Sequence, residues 1–558
     1  MKKHTRDEFY VLGEGILSAD GCRRPSTTAS LRKFRFSRLG PQGEATSPAL
    51  IAKLAAAMTA GPEQADEQTV NRVPAGYTYL GQFVDHDLTM DVTRASLGTD
   101  VSVDELLQGR SPALDLDSVY GRGPASADRV FYDSDGVRLK MGGTEPAPFP
   151  GTGVPLDDFD LPRVGIGATH RERRAPLIPD ERNDENLIVA QTHLAFLRFH
   201  NTVVRDLASG GIPVERLFDL ARERVVKHYQ WMLRTDFLPK VVDEAIVEDV
   251  FTNGRKFFEV PGGGGAAGEA GAGTAASQSI PGDRPTMPIE FSVAAYRFGH
   301  SMVRASYQWN RLFRAGGVVP ASLFLLFVFT GMNGNFDAAA KLPDLDDPNS
   351  GTLDRLPTSW IADFRRLYDF GAAGNPELVA PDGELNLARP IDTLLVNPLS
   401  GLPSGAFGKR GTGPIEKDER NLAFRNLVRA TMVKLASGQQ LAAQFGLEPL
   451  EPADVLGGNG GAVLTGLTGE EEAELTARTP LWFYVLREAE LNQGRLTGVG
   501  GRIVAEVFHR AMEGSRTSIV RDPFWRPTLG PNPGSFTMVD LLRYAFDDRP
   551  ELLNPLGD

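Results

Sequence analysis

Cysteine is all but missing from this chain of 558 residues: Cys22 stands alone. A single thiol excludes an intrachain disulfide and a thiolate metal cluster, and it fits a reducing compartment. Long apolar runs are missing too. The longest strongly apolar one, Leu323 to Phe329, falls far short of the roughly 20 residues a spanning helix needs, so it reads as a core element. There is no basic excess, the formal charge being −13. That argues against nucleic acid or an anionic membrane as the main partner, because both need a positive face. The first eight residues carry charge but lead into no apolar stretch. No secretory signal is read there, and a cytoplasmic location is the default expectation. Clear alternating strands are scarce, and no internal repeat is found.

What is present suits a large core: 41% of residues are apolar and 23% charged. The length allows about three to four domains, or one large helical body. Helical spacing recurs along the chain. Ala49–Ala60 reads as a short helix. In Asp184–Leu207, Leu187, Ala190, Leu194, Leu197 and Val204 fall near one face, with Asp184 as the expected cap. Ile212–Leu238, Phe291–Ser306, Ser359–Tyr368, Asn421–Ala436, Leu481–Leu491 and Gly498–Met512 also read as helical. Residues 1–48 are polar and basic, an arm laid over the body. Residues 151–179 read as a long loop, and the Gly/Ala-rich stretch 261–283 as a flexible surface loop. The expected fold is mainly α: a single helical body with long irregular loops and few strands.

Four segments could carry chemistry. In Gly81–Met90, His86 lies between Asp85 and Asp87, close to Gln82, in a stretch apolar enough to be buried. Burying these groups is costly unless each has a partner such as a metal, a cofactor or a reacting group. His300 lies in Tyr296-Arg297-Phe298-Gly299-His300-Ser301, where Gly299 permits close approach. His193, His200, His228 and His509, among eight histidines in all, read as satisfied structural residues. In the third segment, Asp180–Asn186, acids complement a helix N-terminus, but that does not explain Arg182 among them. In the fourth, Ser111–Gly121, oxygens recur at Ser111, the Ala113 carbonyl, Asp115 and Asp117. In an extended loop they converge on one side and suit Ca²⁺; a turn built from Asp and Ser is the alternative.

Taken in order, with Asn426-Leu427-Val428-Arg429, these motifs resemble the animal-type haem peroxidases of the peroxidase–cyclooxygenase superfamily, in the bacterial branch. The resemblance runs from about residue 70 to about 545. It implies a helical haem peroxidase fold, with residues 1–60 as an arm and 61–558 as the catalytic domain. It makes His86 the distal histidine, Arg182 the distal arginine and Gln82 a holder of water or halide. His300 would be the proximal ligand of haem iron, with Asn426 accepting from its other ring nitrogen. Arg297 and Arg429 would serve the propionates or neighbouring hydrogen bonds. Asp85 and Glu185 take the positions that in relatives form ester links to haem b. Asp87 would join Ser111, the Ala113 carbonyl, Asp115 and Asp117 around calcium.

The implied activity is reduction of H₂O₂ with oxidation of halide, thiocyanate or phenols. The alternatives are a fatty-acid dioxygenase or cyclooxygenase of the same superfamily, and a calcium-stabilised scaffold without activity. The first needs a tyrosine three residues before the proximal histidine, where this chain has Arg297. A metal hydrolase built on Asp85-His86-Asp87 ranks last, because successive helical residues point in different directions. The chain departs from relatives at Asn186, where some mammalian members carry the Met of a sulfonium link, and at Asp117, which replaces a hydroxyl residue.

Overall fold

The computed structural model describes residues 34–61, 72–93, 95–146, 153–260, 285–317, 319, 321–331, 336–337, 342–343, 352–402 and 418–558. The expected flexible loop at 261–283 and most of the N-terminal arm lie outside the described residues. The fold is mainly helical. Its strands, among the described residues, form two short ladders. Phe36–Ser37 runs parallel to Met287–Pro288 (Phe36 opposite Met287), and Phe336–Asp337 runs antiparallel to Leu342–Pro343. No helix in the described residues is long and apolar enough to cross a membrane.

The centre of the body is the Leu187–Ser209 helix, which is buried along most of its length. It packs against the Gly76–Leu88, Val214–Met232 and Met538–Ala545 helices. Aromatic rings fix that junction: Phe83 stacks on Phe196 with centroids 4.6 Å apart, and Tyr229 meets Phe196 edge-on at 5.5 Å. Gly76 opens the Gly76–Leu88 helix against Tyr368, where a Cβ would lie 2.4 Å from the ring. Only glycine allows that approach. The backbone N–H of Gly76 then reaches Leu367 O (2.8 Å), and Tyr368 OH donates to Gly76 O (3.0 Å).

Several expected helices hold: Pro48–Met58, Leu422–Met432, Leu481–Leu491 and Gly498–Gly514. Three expectations need correction. Asp184 does not cap the long helix. Residues Glu181–Asp184 form a separate 3-10 turn capped by Asp180, and Asn186 caps the helix by accepting from Val189 N at 3.0 Å. Phe291–Ser306 is not a regular helix. It is a wide turn, Glu290–Ala294, followed by the tight turn Ala295–His300, and the break falls where Ala294 leaves the helical region (φ −131°, ψ −75°). Ser359–Tyr368 consists of two 3-10 turns, Thr358–Trp360 and Phe364–Arg366. There Asp363 takes Arg365 N and the guanidiniums of Arg365 and Arg366, which caps the start of the second turn.

Candidate active site

Gln82 and His86 are one turn apart on the Gly76–Leu88 helix, so they share a face. His86 is buried, with Nδ1 2.9 Å from Asn183 Oδ1 and Nε2 3.8 Å from Glu185 Oε1. Gln82 bridges the opposite wall: its Nε2 donates to Glu185, and its Oε1 accepts from Asn186 Nδ2 at 3.0 Å. Burial raises the Glu185 carboxyl above its ordinary range, against the pull of His86 and Arg182. Asp85 is half-buried and accepts from Thr89 Oγ1 at 2.9 Å.

Arg182 is fixed on both sides. Its Nε and Nη2 donate to the two oxygens of Asp180 (3.0 and 2.7 Å), and Nη2 also reaches the backbone carbonyl of His86 at 3.1 Å. Burial would lower its pKa, but the Asp180 carboxylate outweighs burial and the guanidinium stays charged. Asp180 also accepts from Arg110 Nε at 2.8 Å. The 3-10 turn that carries Arg182 is therefore tied to the helix that carries His86.

Asp87 points away from this wall into a buried acidic cluster. Oxygens of Asp87, Asp115 and Asp117 lie within 4.8 Å of one another. Leu116, between the last two, adopts a left-handed conformation (φ 58°), a strained geometry for a branched residue. Leu116 N and Ser118 N donate to Asp87 (3.2 and 3.4 Å), and Ser111 N donates to Asp117 at 3.1 Å. Ser111 Oγ is 3.4 Å from Asp115 Oδ2, whereas Asp115 Oδ1 is buried without a hydrogen bond. The Ala113 carbonyl accepts from Asp115 N at 3.0 Å and keeps a second lone pair. Burial, then the neighbouring carboxylates, push Asp87 and Asp115 well above the carboxylate range. Such a cluster either holds protons or holds a cation.

His300 ends the tight turn Ala295–His300. Its Nδ1 is 2.9 Å from Asn426 Nδ2, and the Trp482 ring lies edge-on at 6.2 Å. Burial, then Arg297 and Arg429, push its pKa down to about 3, so the imidazole is neutral. Nε2 has no hydrogen-bond partner among the described residues, and a Cβ on the adjacent Gly299 would meet nothing within 4 Å. Asn426 was expected to accept from His300. Instead its Oδ1 accepts from Arg297 Nη1 at 3.2 Å and its NH₂ faces the ring. Arg297 is a donor only and claims the oxygen.

Arg297 and Arg425 are both pushed down to about 10 by burial and by Arg429. Neither Arg297 nor Arg429 has an ion pair within 4 Å among the described residues, so this cluster is suited to an incoming anion. The two histidine-bearing segments touch: Tyr296, next to Arg297, donates its hydroxyl to the Gly81 carbonyl at 3.2 Å, one residue before Gln82.

Residues 72–316 match the family model of the animal haem peroxidase, a span holding both histidines, Arg182 and the acidic loop. That stretch is similar to the animal haem peroxidases, a family whose name implies haem as the bound group. The chain is also similar to a peroxidase-like protein of Margaritifera margaritifera, 32% identical over 127 residues. That stretch is 22% of this chain and 14% of the other, so the chain matches only a small part of that relative's length. Peroxidase A of Dictyostelium discoideum has a similar fold, with TM-score 0.51, 14% identity, and coverage of 93% of this chain and 92% of that one. A fatty acid α-dioxygenase of Oryza sativa aligns at TM-score 0.48 and 11% identity, over 93% and 80% of the two chains.

Sequence reasoning missed Asp180 as the clamp on Arg182, Arg425 in the cationic cluster, and the Asn183–His193 pair behind His86. None follows a spacing rule. Each is brought in by the 3-10 turn or by helix packing.

Proposed function

We propose that this chain, similar over residues 72–316 to the animal haem peroxidases, reduces hydrogen peroxide and oxidises small donors: halide, thiocyanate or phenols. The observation that carries this reading is His300, a neutral imidazole whose Nε2 has no hydrogen bond, beside the open space at Gly299 and the guanidiniums of Arg297 and Arg429. These groups fit an iron porphyrin. His300 would bind the iron, Arg297, Arg425 and Arg429 would face the propionates, and Asp85 and Glu185 stand where relatives form ester links. Haem, when bound, supplies the redox centre that takes oxidising equivalents from peroxide and hands them to the donor.

The chain supplies proton transfer and charge. His86 Nε2 takes a proton from one peroxide oxygen and returns it to the other as that oxygen departs as water. Arg182, immobilised by Asp180 and the His86 carbonyl, places a fixed positive charge beside the departing oxygen. Gln82 orders water or halide on the same face. Calcium at Asp87, Asp115, Asp117, Ser111 and the Ala113 carbonyl would anchor the residue next to His86, a structural role one step from the chemistry.

The dioxygenase alternative has less support, because Arg297 occupies the position three residues before His300 and the Tyr296 hydroxyl is held by Gly81 O. The test is His86→Ala in haem-loaded protein. The rate of reaction with H₂O₂ should fall by about 10²–10⁴ with haem retained; an unchanged rate removes His86 from the chemistry. Oxygen uptake with linoleate in place of peroxide-dependent dye oxidation would transfer the chain to the dioxygenases.

A further inference from the structure

We propose that Asn183, backed by His193, is the positioning residue that holds His86 with its proton on Nδ1 and its Nε2 bare. The inference rests on the reading of His86 as the proton-transferring base. Three buried groups stand in a row. Asn183 Oδ1 is 2.9 Å from His86 Nδ1, and Asn183 Nδ2 is 2.9 Å from His193 Nδ1. A carboxamide has one accepting end and one donating end. The ring that meets the oxygen must donate, and the ring that meets the NH₂ must accept. His86 therefore carries its proton on Nδ1 when neutral, which leaves the lone pair on Nε2, the nitrogen 3.8 Å from Glu185.

The same amide fixes the tautomer of His193. Its Nδ1 accepts, so its own proton sits on Nε2, an atom buried without a hydrogen-bond partner and belonging to a ring edge-on to Phe83 at 6.0 Å. A cationic His193 would have to donate to Asn183 and would reverse the amide. Complete burial keeps it neutral, with its pKa pushed down to about 3. Once His86 has taken up a proton, both its nitrogens are donors, and Asn183 Oδ1 still satisfies Nδ1. The same contact thus serves both protonation states without rearrangement. The Asn183 backbone is held too: its N–H donates to Asp180 O at 3.1 Å within the turn that carries Arg182. That turn grips His86 twice: Arg182 holds its carbonyl and Asn183 holds its ring.

The experiment uses full-length protein labelled with ¹⁵N-histidine, both haem-free and haem-loaded in the diamagnetic ferrous carbonyl form. Nitrogen shifts report which ring atom bears the proton. Wild type should show His86 protonated at Nδ1 and bare at Nε2. Asn183→Leu should lose that pattern and react with H₂O₂ about 10–100-fold more slowly at unchanged haem content. Asn183→Asp keeps an acceptor oxygen in either ionisation state, so it should preserve the tautomer and stay within about threefold of wild type. His86 protonated at Nε2 in wild type overturns the proposal, and that result needs no variant to fold. An Asn183→Leu protein with the wild-type tautomer and rate also overturns it, as does Asn183→Asp falling as far as Asn183→Leu. Wild type that takes up no haem, or ignores peroxide, would overturn the peroxidase reading alone. The haem-free spectrum would still decide the tautomer.

Discussion

If the acidic cluster holds calcium, as proposed, removing the ion should destabilise the protein, and more so as the pH rises. Asp87, Asp115 and Asp117 bring oxygens within 4.8 Å of one another, with Arg110 Nη1 3.8 Å from Asp117. Without a cation, Asp87 and Asp115 titrate well above the ordinary range, chiefly through burial and then through the neighbouring carboxylates. The folded chain then keeps protons that the unfolded chain releases near pH 4. Stability from this source is complete below that pH and is lost as pH rises, at about 1.4 kcal/mol per unit per carboxyl, or about 3 kcal/mol per unit while both stay protonated. Bound calcium would replace those protons, and at a hundredfold excess over its Kd it would add about 2.7 kcal/mol. In a chain of 558 residues, with an unfolding entropy of about 2.1 cal/mol/K per residue, each kcal/mol moves Tm by about 1 °C. Scanning calorimetry with and without a chelator should show a drop of about 2–4 °C at pH 8 and a smaller one at pH 5. Asp115→Asn removes one repelling charge, so it should raise Tm of the chelated protein at pH 8 and abolish the calcium response. A chelator without effect at either pH, or an Asp115→Asn protein less stable than wild type under chelation, would refute the reasoning.

Two further outcomes follow from the packing. His228 donates Nδ1–H to Arg224 O (2.7 Å) and accepts at Nε2 from Thr528 N and Leu529 N (3.0 and 3.1 Å). Burial pushes its pKa down to about 4, so its contribution is intact above the unfolded value near 6.5 and is lost as pH falls through about 4. Hydrogen-exchange protection of Thr528 and Leu529 should vanish below that pH, and at neutral pH in His228→Ala; amides that stay protected in both contradict it. Gly76→Ala drives a Cβ into the Tyr368 ring and Leu367 O, both within 2.6 Å. It should cost about 1–3 kcal/mol, measured as a lower denaturation midpoint.

Much of this was legible in the sequence. The Leu481–Leu491 helix opens on the apolar run Leu481–Leu486, all of it buried, so composition and burial agree there. The acidic cluster was legible because oxygens alternate through Ser111–Asp117, and the structure does bring Asp115 and Asp117 to Asp87 around Leu116. Phe291–His300 misled because its residue types suit a helix. Its backbone instead bends at Ala294, and the Arg297 side chain caps Ser292 O at 3.0 Å, a contact that periodicity cannot register. Asn183 and His193 were invisible for a different reason. Ten residues separate them across a 3-10 turn and a helix start, and nothing but the folded path brings them into line behind His86. The direction of the Asn426 amide likewise depends on Arg297, a neighbour only in space.

The most direct measurement is the visible spectrum of purified full-length protein titrated with haem, wild type beside His300→Ala. One haem per chain with a Soret band of histidine-ligated iron is expected for wild type, and that ligation signature should be lost or altered in His300→Ala. Identical spectra for the two proteins, or a wild-type chain that binds no haem, would contradict an iron held by His300 opposite His86.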